Sequence, residues 1–93
     1  MKVVSKRIKS AFQACRPLSV GNTRTDGAAV YLFGNKIIER RSDGVYWTLA
    51  GWPTVTTRER VNAIAGAGVY PKGGVQMAGD KPVDAYDWYK AQA

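Results

Sequence analysis

The stretch of sequence that decides the fold is residues 18–50, LSVGNTRTDGAAVYLFGNKIIERRSDGVYWTLA. Three two-residue turn signals divide it: Asp26-Gly27, Gly34-Asn35 and Asp43-Gly44. The segments between the turns are short and rich in β-branched and aromatic residues, which favour strands. Asp-Gly and Gly-Asn favour the type I′ and II′ turns that join antiparallel strands. The stretch therefore predicts a four-stranded antiparallel meander over residues 18–50.

The turn positions also predict which side chains share a face of this sheet. If each turn has two central residues, Thr25 faces Ala28, Phe33 faces Lys36 and Ser42 faces Val45. The more apolar face, expected to pack on helices, then carries Val20, Ala29, Tyr31, Phe33, Ile38, Val45, Trp47 and Leu49. The half-exposed face carries Thr23, Thr25, Val30, Leu32, Ile37, Glu39, Arg41, Tyr46 and Thr48. A slip of one residue would exchange these roles.

The first segment, residues 1–17, has the pattern of a basic amphipathic helix. Its apolar residues recur at helical spacing and form one stripe: Val4, Ile8, Ala11, Phe12 and Cys15. Basic residues fall on the opposite arc: Lys2, Lys6, Lys9 and Arg16. Pro17 is expected to end the helix. Because Cys15 lies in the apolar stripe, we expect it to be a small buried residue.

Most of the excess charge lies in this helix. The chain has a formal net charge of +7, and residues 1–16 contribute five basic and no acidic side chains. Two interpretations remain open at this point. The lysines are either the solvated face of a docked helix or a cationic ridge for nucleic acid or another anionic surface.

After the meander, Thr56 and Glu59 have the spacing of a capping box and predict a helix over residues 56–67. Its expected buried face is Val61, Ile64 and Ala65, and Gly66 or Gly68 should end it. The glycine- and proline-rich segment that follows predicts one short edge strand near residues 75–78. Asp84 predicts the cap of a short helix over residues 84–91. Together these elements predict a single α+β domain over residues 1–93.

Composition argues against several classes of function. The chain has no histidine and one cysteine, which removes the commonest general base and leaves too few soft ligands for a zinc site. The seven acidic residues fall at turns, caps, a strand and a loop. We therefore predict no enzyme activity, no metal and no cofactor. No apolar run approaches the ~18 residues of a membrane span, so no membrane partner is expected.

Four segments resemble a group of small phage and prophage proteins of unknown function: NTRTDG (22–27), LFGNKI (32–37), TLAGWPT (48–54) and TTRERVN (56–62). The pattern of that group is NTxTDG…LxGNxI…LAGWPTxTTRERLN, and it covers about residues 20–65. Val61 stands where the pattern has leucine, which is a conservative exchange in a core. The resemblance implies phage origin and a location in the host bacterial cytoplasm, and it brings no catalytic residues.

Two binding functions are compatible with these observations. The first is a phage protein that engages nucleic acid through Lys2, Lys6, Lys9 and Arg16, chiefly by phosphate contacts. The alternative is a phage effector that binds and inhibits a host protein. Its interface would be either the half-exposed sheet face, at Arg41 and Tyr46, or the following helix, at Arg58, Arg60 and Asn62. The sequence contains no recognised nucleic-acid-binding motif. The two hypotheses differ in their salt dependence, because phosphate contacts weaken steeply with ionic strength.

Overall fold

The computed structural model describes residues 2–92, in which two helices and nine strands follow one another. The helices are α1 (Val3–Gln13) and α2 (Val55–Ala65). The strands are β1 (Leu18–Val20), β2 (Thr23–Thr25), β3 (Ala29–Leu32), β4 (Asn35–Arg41), β5 (Gly44–Trp47), β6 (Val69–Lys72), β7 (Val75–Ala78), β8 (Lys81–Pro82) and β9 (Tyr89–Lys90). The predicted segments 1–17 and 1–93 reach Met1 and Ala93, which lie outside the described residues.

The α+β class and the antiparallel pairing are confirmed, but the main sheet has six strands within the described residues and not four. Its order is β1-β2-β3-β4-β5-β9, and every neighbouring pair is antiparallel. The additional hairpin arises at Gly21, whose φ of +59° splits the first predicted strand into β1 and β2. Strands β6, β7 and β8 form a separate sheet. Both helices contribute to one hydrophobic core on one face of the main sheet.

A β-bulge in β4 decides which side chains of the main sheet are buried. Val30 pairs with Ile38 whereas Tyr31 pairs with Lys36, so Ile37 is an extra residue on β4. Ile37 and Ile38 are consequently both buried, although they are sequence neighbours. Because of the bulge, the residues of β2 and β3 that were predicted for the half-exposed face lie on the same side of the sheet as the residues of β4 and β5 that were predicted for the apolar face.

The predicted face assignment is therefore wrong for the first half of the sheet. Thr23, Thr25, Val30 and Leu32 belong to the buried face, together with Ile38, Trp47 and Leu49. Tyr31, predicted for the core, lies half-buried on the opposite face, and Phe33 is 73% exposed in a turn. Next to each turn the hairpin register also differs from prediction by two residues, which leaves the faces unchanged. Beyond the bulge the β3–β4 register differs by one residue, which exchanges the faces.

The turn residues explain these shifts. Leu32 pairs with Asn35 and Arg41 pairs with Gly44, so Phe33-Gly34 and Ser42-Asp43 are the central residues of the second and third predicted turns. In the β2–β3 connection, the Asp26 carboxylate accepts hydrogen bonds from the backbone N–H groups of Ala28 (2.9 Å) and Ala29 (2.8 Å). Asp26 thus shapes this loop through its side chain.

Helix α2 begins one residue earlier than predicted, because Thr54 and not Thr56 caps it. The Thr54 hydroxyl accepts a hydrogen bond from the Thr57 N–H at 3.2 Å. Glu59, the expected second member of the capping box, bonds Ser5 of α1. The helix ends at Gly66, whose φ of +67° confirms one of the two predicted end points.

The predicted C-terminal helix over residues 84–91 is wrong. The Asp84 carboxylate accepts a hydrogen bond from the Tyr86 N–H at 2.8 Å, but the chain makes only this turn and then forms β9. Pairing of Tyr89 with Trp47 of β5, with ring centroids 5.2 Å apart, stabilises the strand. The predicted strand at residues 75–78 is confirmed as β7, but it is the middle strand of the second sheet and not an edge strand.

The stripe of α1 is buried at Ile8, Ala11 and Phe12, as the helical spacing predicts. Cys15 is exposed, so the expectation of a buried cysteine is wrong. Helix α1 ends at Gln13, two residues before Cys15. Cys15 adopts a left-handed φ of +56°, which turns it away from the apolar stripe of the helix.

We expect Trp47→Ala to destabilise the protein by about 3–5 kcal/mol, because Trp47 is 3% exposed and central to the core. Tyr31→Ala, on the opposite face, should cost about 1–2 kcal/mol. Urea denaturation of both variants measures the difference. Equal losses would contradict the bulge-determined face assignment.

The loop acceptor Asp26 makes stability depend on pH. The backbone N–H groups of Ala28 and then Ala29 lower the pKa of Asp26 below its usual 3.8. The contribution of the Asp26 carboxylate to the free energy of unfolding is therefore fully present at pH values above 3.8. It is lost as the pH falls through the lower pKa of the folded state. Asp26→Ala should be less stable than the wild type at about pH 7, with a gap that narrows at about pH 2.5 in urea denaturation. Asp26→Asn, which keeps an acceptor oxygen, should lose less, and a gap independent of pH would contradict this account.

Candidate functional site

The face of the main sheet that points away from both helices carries alternating cations and aromatic rings. We call this surface the open face; its residues are Arg24, Tyr31, Lys36, Glu39, Arg41, Tyr46, Trp88 and Lys90. The Arg24 guanidinium lies 4.0 Å from the ring centroid of Tyr31. The Arg41 guanidinium lies 4.1 Å from the Tyr46 centroid and 5.4 Å from that of Trp88. Such stacks hold long side chains flat against a sheet.

Acidic residues within and beside the open face neutralise several of its cations. The Arg41 guanidinium donates to Glu39, and this hydrogen bond is the main cause that lowers the pKa of Glu39. Tyr46 donates its hydroxyl to Asp43 at 2.7 Å, which lowers the pKa of Asp43 and raises that of Tyr46. Arg41 and Tyr46, both predicted interface residues, therefore do lie together on an accessible surface, but each already has a partner there.

The second candidate surface is the basic ridge, which we define as Lys2, Lys6, Lys9 and Arg16. Lys2, Lys6 and Arg16 are exposed and Lys9 is half-buried. The three lysines line one side of α1 and its cap, whereas Arg16 follows the helix in the turn after Gln13. Among residues 2–92, the ion pairs involve Lys36, Arg41, Arg60 and Lys90, and none includes a ridge residue. The ridge lies on the helical side of the sheet, away from the open face.

Two hydrogen bonds and one cation–π stack of Arg40 hold the end of α1 against the sheet. The Arg40 guanidinium donates to the carbonyl of Phe12 at 2.7 Å and to that of Gly27 at 2.6 Å, and it stacks 4.2 Å from the Phe12 ring centroid. Backbone packing is also tight here, because a Cβ on Gly27 would lie 2.7 Å from the carbonyl oxygen of Cys15. The end of α1 is thus fixed to the sheet, with a cation at its negative end.

Arg60 is 5% exposed, so the prediction that it points away from the core is wrong. It donates from Nε to the Thr23 hydroxyl at 3.0 Å and from Nη1 to Ser5 at 3.2 Å, and it forms an ion pair with Glu59. Ser5 donates to both carboxylate oxygens of Glu59, at 2.7 and 2.8 Å. This buried cluster connects α1, α2 and β2. Its sequence signal is that Arg60 has helical spacing with the buried residues Thr57, Val61 and Ile64.

The remaining predicted interface residues of α2 also make internal contacts. The Asn62 amide donates to the Val69 carbonyl (2.9 Å) and accepts from the Val69 N–H (2.8 Å), which attaches β6 to the helix. Arg58 donates to the Pro53 carbonyl (2.7 Å) and to Gln76 of β7 (3.2 Å). The five predicted interface residues therefore do not form one surface.

A pocket that the sequence did not predict lies at the β3–β4 turn. We call it the aromatic pocket; it has a volume of about 320 Å³ and is lined by Leu32, Phe33, Asn35, Ile37, Leu49, Ala50, Trp52, Thr54 and Thr57. Leu32, Ile37 and Leu49 belong to the core and form its buried part, whereas Phe33 and Trp52 are 73% and 63% exposed. The signal in the sequence is an aromatic residue, Phe33, at a turn position that favours asparagine or glycine.

Residues 2–92 contain no group of three or more His, Cys, Asp or Glu side chains placed to hold a metal ion. None of the helices described here is long and apolar enough to cross a membrane.

Comparison with known proteins gives one match. Residues 1–92 match a protein family described as Kyanoviridae Gp96 protein. No curated protein and no solved structure matches the chain.

We expect Arg60→Met to destabilise the protein by about 3 kcal/mol, because it removes the donor to the buried Ser5 and Thr23 hydroxyls and the cation that pairs with Glu59. Arg58→Met is the matched control on the same helix and should cost about 1 kcal/mol. Urea denaturation checks both. Equal stability of the two variants would show that the buried cluster contributes little.

Proposed function

The chain belongs to the Kyanoviridae Gp96 protein family and is a phage protein, and on that premise we propose that it is a non-catalytic protein that binds nucleic acid through the basic ridge. The proposed location is the cytoplasm of the bacterial host, where phage nucleic acid is present. The phage origin implied by the sequence resemblance is confirmed, whereas membership of the specific group with the LAGWPTxTTRERLN pattern stays a prediction.

The observation that carries the proposal is that the ridge residues form no ion pair within residues 2–92. On the open face, Glu39 lies 3.5 Å from Lys36, and Asp43 lies 3.8 Å from Lys90. Lys2, Lys6, Lys9 and Arg16 form no ion pair within residues 2–92. Unpaired cations can contact phosphates without giving up an intramolecular partner, so the full gain from counterion release contributes to binding.

The geometry of α1 supports backbone contacts over base reading. Lys2, Lys6 and Lys9 span seven residues, which corresponds to about 10 Å along a helix axis. Lysine is a flexible point charge and suits phosphate oxygens more than base edges. Ile8, Phe12 and the Arg40 stack already fix the helix to the sheet. Binding therefore costs little additional conformational entropy of the backbone.

The non-catalytic part of the proposal rests on the roles of the acidic residues. Asp26 and Asp84 accept hydrogen bonds from backbone N–H groups in turns. Glu59 accepts a hydrogen bond from Ser5 and forms an ion pair with Arg60. Glu39 and Asp43 are held by Arg41 and Tyr46. General acid–base chemistry needs a group that is free to reach a substrate, and each of these five is already bonded.

The alternative function is inhibition of a host protein through an exposed surface. Burial of Arg60 and the internal bonds of Arg58 and Asn62 weaken the surface first predicted for it, since only Arg41 and Tyr46 remain accessible on the open face. The exposed aromatic pocket favours a different surface for a protein partner.

We expect the wild type to bind duplex DNA with a log–log salt slope of about −3.6, which corresponds to four phosphate contacts at roughly −0.9 each. Lys6→Gln/Lys9→Gln should flatten the slope by about 1.8 and weaken all sequences alike. Fluorescence anisotropy over a salt series measures both quantities, and an unchanged Tm shows that the fold survives.

The matched control is Lys36→Gln/Lys90→Gln, which removes the same charge from the open face. It should leave the slope within about 0.5 of the wild type, because those lysines make none of the four contacts. Equal losses in both double variants would show that net charge alone governs binding. Absence of wild-type binding at low salt would contradict the proposed function.

A further inference from the structure

Phe33 is placed where neither folding nor solubility favours an aromatic residue. Its φ is +51° and that of Gly34 is +82°, so both central residues of the β3–β4 turn are left-handed. This turn type prefers Asn-Gly, and a bulky residue with positive φ is strained. Burial does not compensate for the strain, because the Phe33 side chain is 73% exposed.

A second strained segment lines the same pocket. Ala50 has a φ of +54° and is followed by Gly51 at +75°. This reversal places Trp52 beside the pocket, where the Trp52 N–H donates to the Leu49 carbonyl at 2.9 Å while its ring stays 63% exposed. Strained backbone concentrates at binding sites, where the conformation serves a ligand and not the fold.

The lining of the pocket selects hydrocarbon over polar ligands. Its buried part is formed by Leu32, Ile37 and Leu49, which offer no hydrogen-bonding side chain, and by Thr57, whose hydroxyl is already bonded to Thr54. A nucleobase inserted there would leave polar ring atoms without partners, which opposes binding. Asn35, Thr54 and Thr57 supply the few polar side chains, and the hydroxyls of the two threonines bond each other at 3.0 Å. The lining contains no charged residue.

Two cationic side chains adjoin the pocket lining in the sequence, and one of them, Lys36, shares the carboxylate of Glu39 with Arg41, so cations outnumber acids in this region. Lys36 directly follows Asn35, and Arg58 donates to the carbonyl of Pro53, which lies between the lining residues Trp52 and Thr54. The chain as a whole has a net charge of +7. An acidic partner is therefore attracted to this region and an equally basic one is repelled.

We propose that the aromatic pocket binds a leucine- or phenylalanine-sized side chain of an acidic segment in a partner protein, held between Phe33 and Trp52. Phe33 and Trp52 contribute the large exposed rings typical of binding hot spots, and Leu32, Ile37 and Leu49 complete the burial of the inserted side chain. This site lies at the β3–β4 turn, away from the basic ridge, and does not depend on nucleic-acid binding.

The test uses three fluorescein-labelled seven-residue peptides and the full chain. The probe peptide has a central phenylalanine between two runs of three aspartates; one control replaces the phenylalanine by serine, and the other replaces the aspartates by lysine. We expect the probe to bind at least tenfold more tightly than either control in anisotropy titrations. In NMR titrations it should shift the methyl signals of Leu32, Ile37 and Leu49 and the indole signal of Trp52.

Protein variants separate binding from folding. Phe33→Asn should abolish the preference for the probe peptide while Tm stays equal to or above that of the wild type, because asparagine suits the turn. Trp52→Ala should also lose the preference, whereas Val75→Ser, which changes an exposed apolar residue of the second sheet, should retain it.

Three outcomes would overturn the proposal. The first is equal binding of the probe and serine peptides, or a clear fall in Tm for Phe33→Asn, which would assign Phe33 a structural role. The second is a shift of the same methyl signals by a single-stranded oligonucleotide in place of the probe. The third is a dimer in sedimentation that Phe33→Asn converts to a monomer, which would identify a second copy as the occupant.

Discussion

The extra residue Ile37 in β4 is the constraint on which the rest of the structure depends. A sheet alternates its side chains with a period of two, so one inserted residue exchanges the faces of everything beyond it. Here it brings Val30 and Leu32 to the same face as Ile38 and Trp47. Without the bulge, the apolar residues of β3 and β5 would lie on opposite faces, and two helices could not cover both.

The same constraint separates the polar surfaces. Once the apolar residues lie on one face, the other face carries Arg24, Tyr31, Arg41 and Tyr46. There the arginines stack on the tyrosine rings, Arg41 pairs with Glu39, and Tyr46 donates to Asp43. Both helices pack on the buried face, and the Arg60 cluster and the Arg40 stack fix α1 there. Lys2 and Lys6 are then exposed and Lys9 is half-buried, and none of the three forms an ion pair within residues 2–92. This helix is therefore the surface that we propose for phosphate contacts.

The aromatic pocket also follows from the bulge. Ile37 itself lines the pocket, and the two-residue turn that precedes β4 places Phe33 in the left-handed region at its edge. The strain at Phe33 and Ala50 is tolerated because Leu32, Ile37 and Leu49 beside them are packed into the core. Core packing and an exposed binding surface thus share the same residues, so the proposed protein partner would contact side chains that are anchored in the core.

The sequence by itself determined the class, the antiparallel hairpins, the amphipathic α1 and the end of α2 at one of two glycines, Gly66 or Gly68, because these follow from local spacing and from glycine φ angles. It also determined the uneven charge, and with it the ridge lysines. Only the tertiary structure decided the position of the bulge, since Ile37 and Ile38 suit either face equally well. The burial of Arg60 and the secondary structure of residues 84–91 likewise depend on residues distant in the sequence. Ser5 and Thr23 accept hydrogen bonds from the buried arginine, and pairing with β5 makes Tyr89 part of a strand. Long-range contacts of this kind can override local capping and charge signals, because packing against the core contributes more free energy than a cap or a solvated cation.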